Sequence, residues 1–225
     1  QACVENWAIQ DGKNTIMGPD YEFMRPTYEM ALRMQNDDKT IQDFATLKTA
    51  NIHYSSPFQL GTVGMLPMGT WFMATMIQKI NDGESSINWG VATLPHPEGV
   101  TAGKTVGSTT PIAINEASPN KEAAWEFLKF CVTEKGANIL AQAGLIPGYS
   151  SDSFLSTITS VEGMPEGAAE ALSVDEIVLD RPIVEYVNEV NKMLEEEHGL
   201  VMLGEVTLDD FIKTVTERSE SIQAQ

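Results

Sequence analysis

Three clusters of neighbouring carboxylates come nearest to the residue pattern that catalysis requires: Asp37-Asp38, Glu195-Glu196-Glu197 and Asp209-Asp210. Paired carboxylates perform general acid and base chemistry in glycosidases. Adjacent acids on helices and turns are far more often solvated or capping residues. The sequence shows no nucleophile elbow, phosphate-binding loop, zinc-protease motif or dinucleotide-binding glycine pattern. The chain is therefore predicted to have no enzymatic activity.

Metal-binding residue types are few and are not arranged as ligands. His53, His96 and His198 have no metal-site spacing with each other or with Cys3 and Cys131. We therefore predict no metal and no cofactor. A disulfide between the two cysteines cannot be read from their spacing, although Cys131 falls on an apolar helical stripe that favours a buried thiol. His198 follows three glutamates and is interpreted as a helix C-terminal residue that interacts with the helix dipole.

Trp71 is a better candidate for a functional residue than these acidic, histidine and cysteine residues, and its role would be to bind a ligand. The segment Pro67-Met-Gly-Thr-Trp71 places the largest side chain directly after a turn, at the start of a helix with an apolar stripe. Judged by residue type alone, packing in the core is the more frequent role of a tryptophan. A helix start also presents backbone N–H groups that can meet a ligand oxygen. The residues alone leave both roles open.

Composition narrows the class of partner. The chain has 225 residues, of which 14 are basic and 32 acidic, with a net charge of −18. This balance opposes binding to nucleic acid or to an anionic membrane, and it favours a neutral or cationic partner. No apolar run approaches the ~20 residues of a membrane span. Because the sequence starts at Gln1 without a charged-then-apolar leader, we expect any export signal to be absent or removed.

Helices predicted from apolar spacing must position these groups. One of them begins at Thr70 as N-cap, buries Phe72, Met73, Met76, Ile77 and Ile80, and stops at Gly83. The other predicted helices cover residues 26–35, about 41–48, 118–131 with Ser118 as N-cap, 134–143, 182–198 with Gly199 as the stop, and a last helix that Thr207 caps.

Strands are predicted between these helices. Alternating or continuous apolar residues at 62–66, 88–94 and 112–114 are typical of short strands. Residues 150–167 are rich in Ser, Thr and Gly and are interpreted as a surface connection with one short helix. Strands that alternate with helices indicate an α/β fold.

Seven sequence elements follow one another in an order that resembles the extracellular solute-binding proteins of bacterial ABC importers, in the branch that includes maltose-binding protein. They are Phe58-x-x-Gly61-x-x-Gly64-Met65, Gly69-Thr70-Trp71, Trp89-Gly-Val-Ala-Thr-Leu-Pro95, Val106-Gly107-Ser108, Pro111-Ile-Ala-Ile-Asn115, Ser118-Pro-Asn-Lys-Glu-Ala-Ala-Trp-Glu-Phe-Leu128 and Gly144-Leu-Ile-Pro147. Residues 150–225 match more loosely, and residues 1–57 match only in helical character.

The resemblance implies an α/β fold with the C-terminal lobe of a two-lobed, type II periplasmic-binding-protein-like structure, together with the segment that completes the first lobe. Residues 1–104 would belong to the second lobe, residues 105–147 to the first, and residues 148–225 again to the second. Members of the family are longer, so the chain resembles their C-terminal portion. Residues 107–145 would then lack packing partners, and their apolar faces would favour self-association.

The resemblance also assigns ligand-facing residues. In sugar-binding relatives the tryptophan of Gly-x-Trp stacks on a sugar ring, which implies that Trp71, with Gly69 and Thr70, faces the ligand. Gly107 and Ser108 fall where the family's chain crosses between lobes, and a purely structural turn is an equal alternative there. Two aromatic residues join the predicted set by position. Tyr149, after the Pro147-Gly148 turn, is a candidate cleft or hinge residue. Tyr186 begins the helix that in relatives brings an aromatic side chain to the site, although packing within the helix is the stronger interpretation for it. Trp89 and Trp125 are interpreted as packing residues.

The implied function is the substrate-binding component of an ABC importer, which captures a sugar or oligosaccharide by lobe closure and delivers it to a membrane permease. The implied location is extracellular, as a cell-surface lipoprotein or a periplasmic protein. Two alternatives remain: the same family with a polyamine, peptide or metal-chelate cargo, and a carbohydrate-active hydrolase. An acidic cleft would favour a cationic cargo, aromatic platforms would favour a sugar, and facing carboxylates would favour the hydrolase.

Overall fold

Most of the described chain is helical, as the spacing of apolar residues predicts. The computed structural model describes residues 16–18, 21–95, 104–108, 110–149, 151–179 and 183–224. Cys3 and His96, considered above as metal-ligand types, lie outside these residues.

The described elements are ten α-helices, a short 3-10 helix and two strands. The 3-10 helix covers Glu22–Met24, and the strands are β1 (Lys104–Gly107) and β2 (Glu176–Leu179). The α-helices are α1 (Arg25–Asn36), α2 (Phe44–Thr49), α3 (Ser55–Gln59), α4 (Trp71–Asn81), α5 (Lys121–Cys131), α6 (Glu134–Gln142), α7 (Phe154–Thr159), α8 (Ala168–Leu172), α9 (Val187–Leu203) and α10 (Leu208–Gln223).

Contacts divide the chain into two compact units. The first unit comprises Gln1–Tyr54, His96–Ser108 and Glu176–Gln225, and the second comprises Ser55–Pro95 and Thr109–Asp175. Residues 1–104, which the sequence assigns to one lobe, are thus shared between the two units. The assignment of segments to lobes stays a prediction.

The core of the first unit lies between α1, α9 and α10. Phe211 is completely buried, and its ring centroid lies 4.6 Å from that of Tyr28. The hydroxyl of Thr207 accepts a hydrogen bond from the Asp210 N–H at 3.1 Å, and Val206 packs against the same cluster as Phe211. The predicted N-terminal cap of α10 is therefore confirmed.

The end of α9 differs from the prediction. Gly199 lies inside the helix, which continues to Leu203 and ends at Gly204, a residue with φ of 74°. Continuation past the glycine buries Val201 and Met202, and this gain outweighs the cost of one glycine in a helix, about 1 kcal/mol. A left-handed glycine then ends the helix in the ordinary way.

His198 is therefore an interior residue of α9, and its predicted position at a helix end is wrong. Its Nδ1 lies 3.0 Å from the Tyr28 hydroxyl oxygen, and its ring meets Phe44 edge to face with centroids 5.2 Å apart. Burial among these rings disfavours the imidazolium form and lowers the pKa of His198 to about 4. The histidine is thus a neutral packing residue of the first unit.

The sheet of the described residues consists of β1 and β2, which pair in parallel with Lys104 opposite Glu176 and Gly107 opposite Leu179. The predicted strands at 62–66, 88–94 and 112–114 are wrong as strands: these segments are irregular, apart from one isolated bridge between Gly90 and Glu166. Alternating side chains alone do not make a strand, because its backbone hydrogen bonds need a partner strand alongside.

Two helices of the second unit begin as local chemistry dictates. The Thr133 hydroxyl accepts the Gly136 N–H at 3.2 Å and caps α6, and Gly144, with φ of 76°, follows its end. Helix α5 starts at Lys121 instead of directly after Ser118, because the Ser118 hydroxyl accepts the Asn120 N–H within a preceding turn. The predicted short helix in the 150–167 connection is confirmed as α7.

Candidate ligand-binding site

Helix α4 is central to the candidate site, because one of its sides packs in the core and the other faces away from the core. Of its predicted apolar stripe, Phe72, Met73, Met76 and Ile77 are buried as predicted, whereas Ile80 near the helix end is only half-buried. The side chains on the opposite side of the helix must therefore point away from this core. They are Trp71, Ala74, Thr75, Gln78 and Asn81.

Trp71 stands at the first position of α4 with 58% of its surface exposed. Its indole lies against Gly69, where an added Cβ would come within 2.0 to 2.5 Å of the ring carbons Cζ3, Cη2 and Cε3. No side chain larger than hydrogen fits at position 69 while the ring holds this pose. Gly69 therefore acts as the seat of the indole. Thr70 is the N-cap residue and is exposed, but its side chain makes no capping hydrogen bond.

Two glycine turns bring the walls of the site close to α4. A Cβ at Gly144 would lie 3.5 Å from Ala74, and a Cβ at Gly163 would lie 3.4 Å from the Ile77 side chain. Both glycines have positive φ, 76° and 83°, which other residues rarely adopt. The segments that follow α6 and α7 can therefore approach α4 along one side.

The space between these elements is an open groove of about 750 Å³, which lies wholly within the second unit. Trp71, Leu145 and Val161 contribute apolar surface. The uncharged polar residues that line it are Thr75, Gln78 and Asn81 on α4, Gln142 on α6, and Thr157 and Ser160 at the end of α7. Asp82 and Glu162 add two carboxylates.

This lining suits a ligand with many hydroxyl groups. Amide and hydroxyl side chains both donate and accept hydrogen bonds, and carboxylates accept them. An exposed aromatic face covers apolar C–H surface. The groove volume falls within the range of small-molecule sites, about 300–1,000 Å³.

The other predicted site residues are divided between the units. Tyr149 is exposed in the second unit but does not line the groove. In the first unit, Gly107 ends β1, and a Cβ there would come within 2.8 Å of the Ile177 side chain, so strand packing already requires a small residue. Ser108 follows β1 and is exposed. Tyr186 is half-buried at the N-cap of α9, and its carbonyl accepts the Val190 N–H.

Sequence reasoning missed most of the groove. On α4 a usable signal existed, because Thr75, Gln78 and Asp82 follow Trp71 at spacings of three and four and so share its side of the helix. No comparable signal marked Gln142, Thr157 or Glu162, since only the folded chain brings these segments beside α4.

The carboxylate clusters have structural partners. Asp38 pairs with Arg33 at 3.1 Å, and Asp209 pairs with Arg25 at 2.7 Å. Arg218 bridges Glu196 and Glu197 at 2.8 and 2.5 Å, and Glu197 is buried by this contact. Asp209, Glu196 and Glu197 therefore connect helices of the first unit, whereas Asp38 pairs with the end of the helix that it follows.

Two further features of the described residues concern metal binding and membrane insertion. No three potential ligand side chains gather into a metal site there, and no helix in that part of the chain combines the length and hydrophobicity that a membrane crossing needs. Cys131 is a half-buried free thiol, less covered than predicted. Trp125, predicted to pack, has 55% of its surface exposed.

Comparisons with known proteins identify the fold. A sugar transporter from Rhizobium etli, crystallised in an open conformation, is 38% identical, with a TM-score of 0.84 over 97% of this chain and 56% of its own. An ABC substrate-binding protein from Listeria monocytogenes, in complex with cycloalternan, is 19% identical, with a TM-score of 0.71 over 100% of this chain and 60% of its own. The predicted α/β fold of solute-binding proteins is confirmed, and the chain spans little more than half the length of these proteins.

The family follows from the sequence match as well. The family model of bacterial extracellular solute-binding proteins matches residues 4–138, more than half of the chain. This range contains α4 and its exposed tryptophan. The resemblance based on the order of the sequence elements from Phe58 to Pro147 is thus confirmed. The chain belongs to the family of bacterial extracellular solute-binding proteins.

Proposed function

We propose that the chain is part of the substrate-binding component of an ABC importer, which captures a sugar or oligosaccharide outside the cell and delivers it to a membrane permease. The observation that carries this proposal is the exposed indole of Trp71, seated on Gly69 beside a groove lined by amides and hydroxyls. The indole would cover one face of a sugar ring, and the polar side chains would bind its hydroxyls.

The similar proteins support sugar binding as well. The Rhizobium etli protein is a sugar transporter, and the Listeria monocytogenes protein holds cycloalternan. Capture by a two-lobed protein couples ligand affinity to closure, because the closed state makes contacts that the open state lacks. Gly107, Ser108, Tyr149 and Tyr186 are proposed as further ligand-facing residues. The proposed location is the cell surface, as a lipoprotein, or the periplasm.

The proposal can be tested on this chain with Trp71→Ala and the matched control Trp125→Ala. Both tryptophans are more than half exposed, but only Trp71 lines the groove. Because the chain spans little more than half of its relatives, we expect sugar affinities no stronger than about millimolar, near −4 kcal/mol. A panel of neutral oligosaccharides should bind to the parent and to the Trp125 variant in a fluorescence or NMR titration.

Loss of that binding in Trp71→Ala alone would support the proposal, and binding that survives Trp71→Ala would refute it. Micromolar or tighter binding would contradict the weak affinity expected of a chain that spans little more than half of its relatives. Recovery of the sugar unchanged after incubation would support uptake over the hydrolase alternative, whereas cleavage products would favour an enzyme.

A further inference from the structure

The electrostatic character of the groove on α4 points to a narrower ligand class. Three helices end beside it: Asn81 and Asp82 lie at the end of α4, Gln142 and Ala143 at the end of α6, and Ser160 directly after α7. Helix C-terminal ends carry partial negative charge. The side chains of Asp82 and Glu162 add two full negative charges to the same lining.

The second unit offers little positive charge to balance this groove. It contains no arginine and four lysines, at positions 79, 121, 129 and 135. The first three pair with Glu84, Glu116 and Glu126, and none of the four lines the groove. The neighbour of Asp82 on α4, Lys79, thus directs its ammonium group to Glu84 instead of into the groove.

The exposed indole of Trp71 also favours a positively charged ligand. The face of an aromatic ring is negative, and a cation above it is attracted, most strongly by tryptophan. Helix ends, carboxylates and the indole face therefore all favour a positively charged group, while the amide and hydroxyl side chains favour a sugar. Each of these exposed contributions is small, since solvent screens them, but they act in the same direction.

We propose that this groove prefers a sugar with a protonated amino group, such as an unacetylated hexosamine unit, over a neutral sugar, and a neutral sugar over an anionic one. The inference rests on the proposed sugar-binding function of the same groove and adds the charge of the ligand. In the bound state the ammonium group lies near Asp82 or Glu162, and a pyranose ring covers Trp71.

The test compares three β-1,4-linked trimers, of glucosamine, glucose and glucuronate, at about pH 6, where most amino groups of the first are protonated. The N-acetylated form of the glucosamine trimer keeps the skeleton and removes the charge. We expect the glucosamine trimer to bind about 3- to 10-fold more tightly than the glucose trimer or the acetylated form at low salt. The glucuronate trimer should bind more weakly than glucose, and all differences should shrink at about 0.5 M salt.

Glu162→Gln provides the residue-level test, with Asp152→Asn as the matched control. Both remove one negative charge beside α7, but Asp152 precedes the helix and does not line the groove. Glu162→Gln should lower the preference for the glucosamine trimer about 2- to 4-fold and leave glucose binding in place, whereas Asp152→Asn should change neither. The unfolding midpoint of each variant shows whether the fold is intact.

Equal affinity for the glucosamine and glucose trimers at low salt would overturn the inference, and so would a preference that Glu162→Gln does not reduce. In that case, neutral sugar binding that still depends on Trp71 would leave the proposed function standing. Failure of every trimer to bind would refute both.

Discussion

Helices α10 and α5 share the same spacing of apolar residues but differ in how far these residues are buried. The spacing i, i+3, i+4, i+7 occurs at Leu208, Phe211, Ile212 and Val215 on α10 and at Ala124, Phe127, Leu128 and Cys131 on α5. On α10 this stripe is buried or packed against the core of α1 and α9. On α5 no residue is buried, and 62% of Phe127 is exposed.

The difference shows that an apolar stripe indicates which side of a helix can pack, but does not determine whether the fold provides a segment that covers it. In the first unit α9 and α10 cover each other, and the hydrophobic gain is realised within the described residues. In the second unit, exposed apolar side chains occur in two settings. Trp71 stands beside polar side chains and a groove, as a ligand site requires, whereas Phe127 is an apolar surface of the kind that contacts protein.

The largest expected effect contrasts Phe211→Ala with Phe127→Ala. Phe211 is fully buried beside Tyr28, so its truncation should lower the free energy of unfolding by about 3–5 kcal/mol. The same change at the exposed Phe127 should cost less than about 1 kcal/mol. Urea unfolding followed by circular dichroism measures both. Similar losses at the two positions would show that α5 is as well packed as α10.

A smaller effect concerns pH and applies to the first unit alone. The pKa of His198 is about 4 in the folded chain, below the ordinary value near 6.5, so the unfolded chain binds its proton first as pH falls. Stability should therefore decrease as pH drops from about 6.5 to 4, by about 2–3 kcal/mol in total from this residue.

Unfolding measured across this pH range for the parent and for His198→Gln isolates the histidine, since the carboxylates are common to both. The variant should show a shallower loss of stability with acid, while Phe127→Ala should keep the parent's slope. Identical slopes in the parent and His198→Gln would contradict a neutral, buried imidazole.

Self-association should follow from the uncovered stripe of α5. We expect the chain to associate with itself, and Phe127→Ser to weaken association by about 1–2 kcal/mol, roughly 10-fold, because an exposed phenyl ring is removed from the contact. Met65→Ser is the control, since Met65 is 88% exposed in the same unit but lies outside α5. Sedimentation equilibrium measures both. A monomeric parent, or an equal effect of the two variants, would count against the α5 contact.

The smallest effect on stability but the sharpest one on geometry is expected from Gly69→Ala. A methyl group at Gly69 would collide with the indole of Trp71 and force it out of its present pose, whereas the space around Gly64 is open. Gly69→Ala should change the tryptophan emission and its quenching by acrylamide, with little change in unfolding free energy. Gly64→Ala should leave both signals at their parental values. Unchanged emission in Gly69→Ala would show that the ring does not rest on this glycine.

The positions of helices were largely readable because the signals are local. A hydroxyl three residues before an N–H fixes the starts of α6 and α10, and the left-handed glycines after α4 and α6 fix their ends. The signal failed at Gly199, where the burial of Val201 and Met202 favours continuation, and at the three predicted strands, which have no neighbouring strand within the described part of the chain.

The sequence by itself determined the mainly helical elements, the solute-binding family and the choice of Trp71 as a candidate ligand contact, because caps, apolar periods and the order of short elements are properties of neighbouring residues. Only the tertiary structure decided that α10 is covered and α5 is not, that the indole rests on Gly69, and that Gln142 and Glu162 meet α4 in one groove. Burial and convergence depend on residues far apart in the chain, and a local pattern does not specify which distant segment will arrive.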